Sequence, residues 1–353
     1  MADVRRAPLS GWGLYPVEDC FIYRPERVQD LERILSSGQQ SSYIARGLGR
    51  SYGDTALNKS AGVLLNELFN HFLSFDASTC ILECEAGVSL EEISQHLVPK
   101  GFFLPVTPGT KFVTVGGAIA NDIHGKNHHK DGCFSEHVLD FQLMIADGSI
   151  QTCSRDENAD IFWGTIGGIG LTGFILSARI RMQRVETGYI AVDYRKARNL
   201  DEALKLFTEG DNNYQHSVAW IDCLASGGSL GRSVLMRGNH ATRAELPKNI
   251  GDPLRIPVKR KLNVPFTFPS FALNQLSIAL FNNVYYASFK DNSHKIVGYD
   301  SFFYPLDAVQ NWNRIYGKKG FVQYQAVLPP ETSREGLVAL LEKLSMSDRK
   351  SVV

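Results

Sequence analysis

Residues 116–129, GGAIANDIHGKNHH, are the stretch that decides the fold, because a run of small residues leads directly into three histidines and a lysine. The two leading glycines carry no side chain, so a bulky group can lie against their backbone. His124, His128 and His129 are compatible with a zinc site, with surface histidines or with the floor of a cofactor pocket. Zinc needs three or four convergent ligands, and the adjacent His128 and His129 would point apart in a strand or regular helix. The segments upstream bear on the choice between these interpretations.

Two further glycine-rich turns precede this stretch. Residues 46–54, RGLGRSYGD, follow a predicted strand, and residues 108–110 read PGT. Successive glycines allow several backbone N–H groups to converge on an anion, and Arg46, Arg50 and Ser51 add charge and a hydroxyl. A hairpin turn with solvated arginines is the alternative. Three such loops exceed what turns alone require, which favours a bound ligand.

Residues 168–173, GIGLTG, match the G-x-G-x-x-G pattern of dinucleotide-binding folds. That pattern must follow a strand and open a helix. Here a helix is predicted before the glycines and a strand after them, so the context of a Rossmann fold is missing. A plain turn, or a turn whose bare backbone lets a flat cofactor approach, remains.

Charge and cysteine content limit the classes of function. The 353 residues carry 37 basic and 37 acidic side chains, so net charge gives no support for nucleic-acid binding. The six cysteines form no CxxC pair and indicate reduced thiols of an intracellular protein. We expect no signal peptide, since the first residues contain no apolar core. Residues 262–289 carry no charge, yet their prolines and asparagines argue against a membrane-spanning helix; contact with lipid stays open.

Hydrophobic periodicity predicts two regions that meet near residues 185–190. The predicted strands are residues 41–49, 62–67, 80–87, 138–148, 173–182, 216–224, 232–238, 295–307 and 321–329. The predicted helices are residues 89–97, opened by a Ser89–Glu92 capping box, 156–168 and 334–344. Residues 113–122 are predicted as a small-residue helix or tight turn, and residues 239–261 as a polar loop.

Together these segments resemble the FAD-dependent oxidases of the vanillyl-alcohol-oxidase type, and within them the branch that oxidises polyprenylphosphoryl ribose. The resemblance rests on RGLGRSYGD, PGTKFVTVGGAIANDIHGKNHH, FWGTIGGIGLTG, SVAWID, FFYPLD and GFVQYQAVLP and runs over roughly residues 10 to 330. It implies an α+β protein with a PCMH-type FAD-binding lobe of two α+β subdomains, residues 1–187, and a sheet-based substrate (cap) domain, residues 188–353. Family members are longer, so we expect the cap to be incomplete at the C-terminus and the activity to be in doubt.

The resemblance also implies which residues bind FAD. Residues 46–54 would wrap the pyrophosphate, residues 108–110 and 114–118 would line the flavin, and residues 167–173 would approach the adenine half. The implied set is Arg46, Gly47, Leu48, Gly49, Arg50, Ser51, Tyr52, Pro108, Gly109, Thr110, Thr114, Gly116, Gly117, Ala118, Asn121, Asp122, His124, Gly125, Gly168, Gly170 and Gly173. Some relatives bind flavin covalently through a histidine where this chain has Arg50, so we expect non-covalent FAD.

For catalysis, the resemblance implies His124 and Lys126 beside the isoalloxazine. A cation there favours negative charge on the reduced flavin and can hold a substrate phosphate. Lys126, Trp220, Tyr304, Gln323 and Gln325 are the implied substrate-binding residues, and no metal is expected. Trp220 on a strand can equally be a core residue, and the two glutamines can simply share one sheet face.

The implied reaction is oxidation of a sugar secondary hydroxyl by hydride transfer to flavin N5, with the 2′-hydroxyl of polyprenylphosphoryl-β-D-ribose as substrate in cell-wall arabinan precursor synthesis. An aldonolactone or alditol oxidase, a catalytically impaired FAD-binding fragment or partner-binding subunit, and a zinc protein are the alternatives. Implied partners are the polyprenyl-phosphate sugar, a reductase or epimerase that completes a two-step conversion, and a membrane surface contacted peripherally. The uncharged residues 262–289, preceded by Lys259, Arg260 and Lys261, fit an apolar rim for the polyprenyl chain beside its phosphate, and a loop that packs on the cap is the alternative. The expected location is cytoplasmic, at the inner membrane face, with the periplasmic side as a second option.

Overall fold

The computed structural model describes residues 4–257, 260–269 and 271–346. The strands are β1 Val4–Ser10, β2 Val17–Tyr23, β3 Tyr43–Arg46, β4 Gly62–Leu65, β5 Phe72–Asp76, β6 Ile81–Glu85, β7 Phe102–Phe103, β8 Val138–Met144, β9 Ile150–Ser154, β10 Phe174–Arg181, β11 Gln183–Arg184, β12 Tyr189–Ala197, β13 His216–Ile221, β14 Ser233–His240, β15 Leu262–Asn263, β16 Ser293–Gly298 and β17 Val309–Gln310. The α-helices are α1 Val28–Ser36, α2 Leu90–Leu97, α3 Val115–Ala120, α4 His128–Asp131, α5 Ala159–Thr165, α6 Leu200–Gly210, α7 Gln275–Ser288, α8 Tyr299–Phe303 and α9 Pro330–Met346.

The first sheet delivers the glycine turn to the site. Its strand order is β1-β2-β4-β3, with β2 and β3 both parallel to β4. Helix α1 covers it by burying Leu31 and Ile34 against Leu64 and Phe69. Because β3 ends at Arg46, the turn over residues 46–54 leaves the carboxyl end of this sheet.

The second sheet supports the segment with the histidines. Its order β5-β6-β10-β8-β9 is antiparallel throughout, and β6 alternates as predicted, with Leu82 and Cys84 fully buried. Helix α2 begins at the predicted capping box: the Glu92 amide donates to Ser89 Oγ at 3.1 Å, and the Ser89 amide donates to the Glu92 carboxylate at 2.8 Å. The small-residue segment forms α3 on this sheet.

A third sheet, β13-β14-β12-β16, is antiparallel and carries α6 and α8, while α9 packs on α6. The aromatic residues of α8 join the main hydrophobic core, since the Phe103 ring of β7 lies 5.3 Å from that of Tyr299 and 5.1 Å from that of Phe303. The strands of this sheet begin at Tyr189; the domain division at residue 187 stays a prediction.

Two predicted strands are wrong in whole or in part. Residues 295–307 begin as β16 but turn into α8 and a 3₁₀ turn, Pro305–Ala308, because a helix buries Tyr299, Phe302 and Phe303 on one face. Residues 321–329 have no regular secondary structure, and no described strand pairs with them. The helix predicted over residues 334–344 is confirmed as α9.

Within the described ranges, no helix is long and apolar enough to cross a bilayer.

Candidate functional site

A cleft of about 600 Å³ lies where the carboxyl end of the first sheet, α3 and residues 306–325 meet. It brings together most of the residues predicted from the sequence. The predicted residues that line it are Arg46, Gly47, Leu48, Gly49, Arg50, Ser51, Tyr52, Pro108, Gly109, Thr110, Thr114, Gly116, Gly117, Asn121, His124, Gly170, Gly173, Gln323 and Gln325.

Four predicted cofactor residues do not line the cleft. Ala118 is fully buried within α3, and Asp122 accepts a hydrogen bond from the Ser135 amide at 3.0 Å. Gly125 packs against the backbone of Thr107, and Gly168 packs against the end of α5. All four support neighbouring segments of the cleft from behind.

Arg46 braces the glycine turn instead of reaching into the cleft. Its Nη2 donates to the Ser10 carbonyl at 2.7 Å, and its Nη1 donates to the Ala56 carbonyl at 3.3 Å. Burial lowers the pKa of this guanidinium. Gly49, at φ 63°, allows the turn to pass directly over it. The side chain therefore fixes the shape of the turn, and the backbone of the turn faces the cleft.

Arg50 is the cation at the cleft wall. Its guanidinium lies 3.9 Å from the centre of the Trp12 ring and 5.1 Å from that of Phe112. Burial lowers its pKa, opposed first by the charge of Asp307. Its Nε is buried and has no hydrogen-bond partner in the part of the chain that the structure describes. A cation in the cleft lining suits a bound anion such as a diphosphate.

The other side of the cleft is shaped by glycines that leave room for a flat group. Thr114 caps α3 by accepting from the Gly117 amide at 3.1 Å, and a Cβ at Gly47 would collide with the same Thr114 hydroxyl. The turn and the helix thus touch only because residue 47 is glycine. A Cβ at Gly109 would meet nothing within 4 Å, so the cleft is open beside this residue. Bare backbone beside an open slot, with a cation at its edge, fits FAD.

His124 lines the cleft, whereas the predicted Lys126 does not. His124 Nε2 is 3.4 Å from the Gln325 amide nitrogen, and burial followed by the neighbouring His128 lowers its pKa, which favours a neutral imidazole. Lys126 Nζ donates to the Phe303 carbonyl at 2.9 Å. Burial lowers the pKa of Lys126 to about 8. A lysine with this pKa changes charge close to neutral pH.

Trp220 and Tyr304 are not part of the cleft lining. Trp220 is 9% exposed and packs against Tyr285 at 4.8 Å between ring centres, which agrees with the core alternative. Tyr304 is buried, its hydroxyl lies 2.7 Å from Thr107 Oγ1, and burial raises its pKa. Gln323 and Gln325 do line the cleft, two residues apart in an extended segment that is not a strand.

The other histidines make separate contacts. His128 Nδ1 lies 3.7 Å from Cys133 Sγ, and His129 Nε2 lies 3.2 Å from the Tyr214 carbonyl. Across residues 4–257, 260–269 and 271–346, no group of three or more His, Cys, Asp or Glu side chains is arranged to hold a metal ion.

Sequence reasoning missed several residues of the cleft. Asn66 follows β4 at the same sheet edge as the glycine turn, and its Oδ1 is buried without a described partner; a polar residue directly after a buried strand was the available signal. Most of the others are sequence neighbours of predicted residues, whereas Trp12, Leu306 and Trp312 are brought in by the packing of distant segments. The cleft residues missed are Trp12, Ala45, Thr55, Ala56, Asn66, Val113, Ala120, Ile123, Ile169, Ile175, Leu306 and Trp312.

Comparison with known proteins agrees with this geometry. A family model described as an FAD binding domain matches residues 21–154. The decaprenylphosphoryl-beta-D-ribose oxidase of Mycolicibacterium smegmatis is 40% identical over 333 residues, which cover 93% of this chain and 72% of that protein. The chain belongs to the decaprenylphosphoryl-β-D-ribose oxidase family. It is an FAD-dependent oxidoreductase, and the predicted α+β class, with a PCMH-type FAD-binding domain, is confirmed.

More distant relatives match the chain over about half its length. The human Delta(24)-sterol reductase is 29% identical over 177 residues, which cover 50% of this chain and 33% of that protein. The mouse L-gulonolactone oxidase is 26% identical over 188 residues, which cover 52% and 42%.

Proposed function

We propose that this chain oxidises the 2′-hydroxyl of polyprenylphosphoryl-β-D-ribose, with FAD held non-covalently in the cleft. The observation that carries the proposal is that the glycine turn, the 108–110 loop, α3 and His124 line one cleft in a chain 40% identical to a decaprenylphosphoryl-beta-D-ribose oxidase. When bound, FAD supplies the hydride acceptor, its N5 atom.

The glycine turn and Arg50 support a position for the diphosphate of FAD. The turn and Arg50 line the cleft, and Gly109 leaves open space beside it for the flavin ring. Residues 170–173 extend the same cleft and would meet the adenine half. Arg50 cannot form the covalent bond that a histidine makes in some relatives, which supports non-covalent binding.

Residues beside the flavin wall would bind and orient the sugar. The neutral imidazole of His124 can accept a hydroxyl proton, and the amides of Gln323 and Gln325 can hold other hydroxyls of the ribose. The Lys126 ammonium lies two residues along the chain from His124 and would attract the phosphodiester.

The lipid tail would lie on an apolar rim, which we define as residues 262–268 with the outer face of α7. Residues 264 and 268 hydrogen-bond to the backbone of residues 310 and 314, on either side of the cleft residue Trp312. On α7, Leu276, Leu280 and Val284 are 83%, 66% and 61% exposed and share one face at helical spacing. Arg260 and Lys261 precede the rim, and the predicted contribution of Lys259 lies outside the described residues. The same rim would make peripheral membrane contact.

A partner enzyme would act on the product. The oxidised sugar carries a ketone, so a reductase or epimerase is needed to complete a two-step conversion of the ribose; this partner stays a prediction.

The substrate assignment is tested with FAD-loaded protein kept free of oxygen. A short-chain polyprenylphosphoryl ribose should bleach the visible flavin absorption, and L-gulono-lactone should not. Bleaching by the lactone alone would replace the proposal with a soluble sugar-lactone oxidase.

A further inference from the structure

The loop around residues 108–110, where we propose the flavin binds, is hydrogen-bonded to the region of the third sheet at several points. Thr107, Thr110 and Lys111 all hydrogen-bond to residues between 300 and 307, almost two hundred positions later in the sequence. Lys111 is 5% exposed, and its Nζ lies 2.9 and 3.0 Å from the two carboxylate oxygens of Asp300.

Asp307 makes the two contacts that act directly on the loop. Its Oδ1 accepts from the Thr110 hydroxyl at 2.7 Å, and its Oδ2 accepts from the backbone amide of Lys111 at 2.9 Å. The side chain belongs to a residue that is only 8% exposed. A buried carboxylate with two donors is costly to build unless both bonds are made, so the two contacts fix each other.

The loop needs an external support of this kind. Gly109 has no atoms within 4 Å of the position of a Cβ, so one side of the loop faces open cleft. Pro108, Gly109 and Thr110 all line the cleft, and so does Leu306, the residue before Asp307. Leu306 therefore contributes to the cleft lining, and the next residue, Asp307, holds the 108–110 loop.

We propose that Asp307 is a positioning residue that fixes the 108–110 wall of the cleft through its bonds to Thr110 and the Lys111 amide. The wall is set whether or not cofactor is present. Its consequence for FAD, tighter binding and a defined flavin environment, rests on the function proposed above.

The test compares three variants with the unaltered chain. Asp307→Ala removes both acceptors, and Thr110→Val removes one of the two bonds from the loop side. Asp193→Ala is the matched control, since Asp193 also accepts two side-chain hydrogen bonds, from Tyr214 and His294, far from the loop. Hydrogen exchange of the Lys111 amide is measured without FAD, with the Ala178 amide in β10 as an internal reference for global unfolding.

Asp307→Ala should speed exchange at Lys111 by about 10-fold or more relative to Ala178, while Asp193→Ala leaves it unchanged. In FAD-binding assays Asp307→Ala should raise the Kd about 10- to 100-fold and shift the visible flavin band. If Asp307→Ala unfolds the chain, Thr110→Val decides, because it should raise exchange in the same loop.

Unchanged exchange at Lys111 in both loop variants would overturn the proposal. Faster exchange in a chain that binds no FAD at all would support the positioning role and refute the flavin function instead, so the two failures are distinguishable.

Discussion

At the level of single residues, Arg46 stabilises the glycine turn of the cleft. It connects the glycine turn to Ser10 and Ala56 through charged hydrogen bonds. Arg46→Gln should lower the free energy of unfolding by about 2–4 kcal/mol, because two buried carbonyls lose a charged donor. Arg33→Gln is the control, since the exposed Arg33 pairs with Asp30 at the surface and should cost about 0–1 kcal/mol. Denaturant titration measures both, and equal losses would contradict the bracing role.

Lys126 provides a prediction about pH. Its pKa, lowered to about 8 by burial, means that its positive charge is present at pH 7 and lost as pH rises through about 8. The phosphodiester of the substrate stays ionised throughout, so its affinity should fall over this range. Lys126→Gln should weaken binding about 10- to 100-fold at pH 7 and remove the pH dependence. Titration of substrate binding at several pH values measures this, and an equal slope in Lys126→Gln would assign the titration to another group.

At the level of elements, the start of α3 and the 108–110 loop line the part of the cleft in which we propose the flavin binds. Gly109→Leu should leave the free energy of unfolding almost unchanged, because an added side chain meets no atom within 4 Å. It should nevertheless weaken FAD binding at least about 10-fold, since the side chain would occupy the slot. Gly228→Leu is the matched control: Gly228 also has open space around it but lies away from the cleft. FAD titration compares them, and equal affinity in both variants would move the flavin elsewhere.

The elements also show how far the sequence leads. Capping at Ser89, alternation in β6 and the glycine turn after β3 are local features, and local patterns predicted them. The alternation of residues 321–329 equally favours a strand, but a strand needs a neighbour, and no described strand pairs with it. For α8, the aromatic spacing at Tyr299, Phe302 and Phe303 was a helical signal that the strand prediction overlooked. Trp12 and Trp312 reach the cleft only through packing of distant segments, which no local pattern records.

The whole molecule closes its cleft with segments from both halves of the sequence. Residues 306–325 complete a cleft whose floor is built from residues 45–124 and 169–175. The apolar rim begins where these two halves meet, because the backbone amides of residues 264 and 268 donate hydrogen bonds to the carbonyls of residues 310 and 314. Cofactor, sugar and lipid tail would therefore lie in a row across the boundary between the two halves.

The rim predicts a dependence on lipid length. The double variant Leu276→Lys with Leu280→Lys should raise the KM for a long-chain polyprenylphosphoryl ribose about 10-fold through loss of apolar contact, and leave a short-chain substrate unaffected. Leu73→Lys changes another exposed leucine, 50% exposed on β5 and outside both α7 and the cleft lining, and serves as control. Steady-state kinetics with both substrates measure the effect. Equal changes for the two chain lengths would show that α7 does not bind the tail.

The most direct test of the account uses polyprenylphosphoryl ribose with deuterium at C2′, added without oxygen to the FAD-loaded chain. The account predicts that the flavin absorption bleaches and that mass spectrometry finds a ketone product without the 2′ deuterium. A chain that holds FAD but keeps its flavin oxidised, or a product that retains the label, would contradict oxidation at the 2′-hydroxyl.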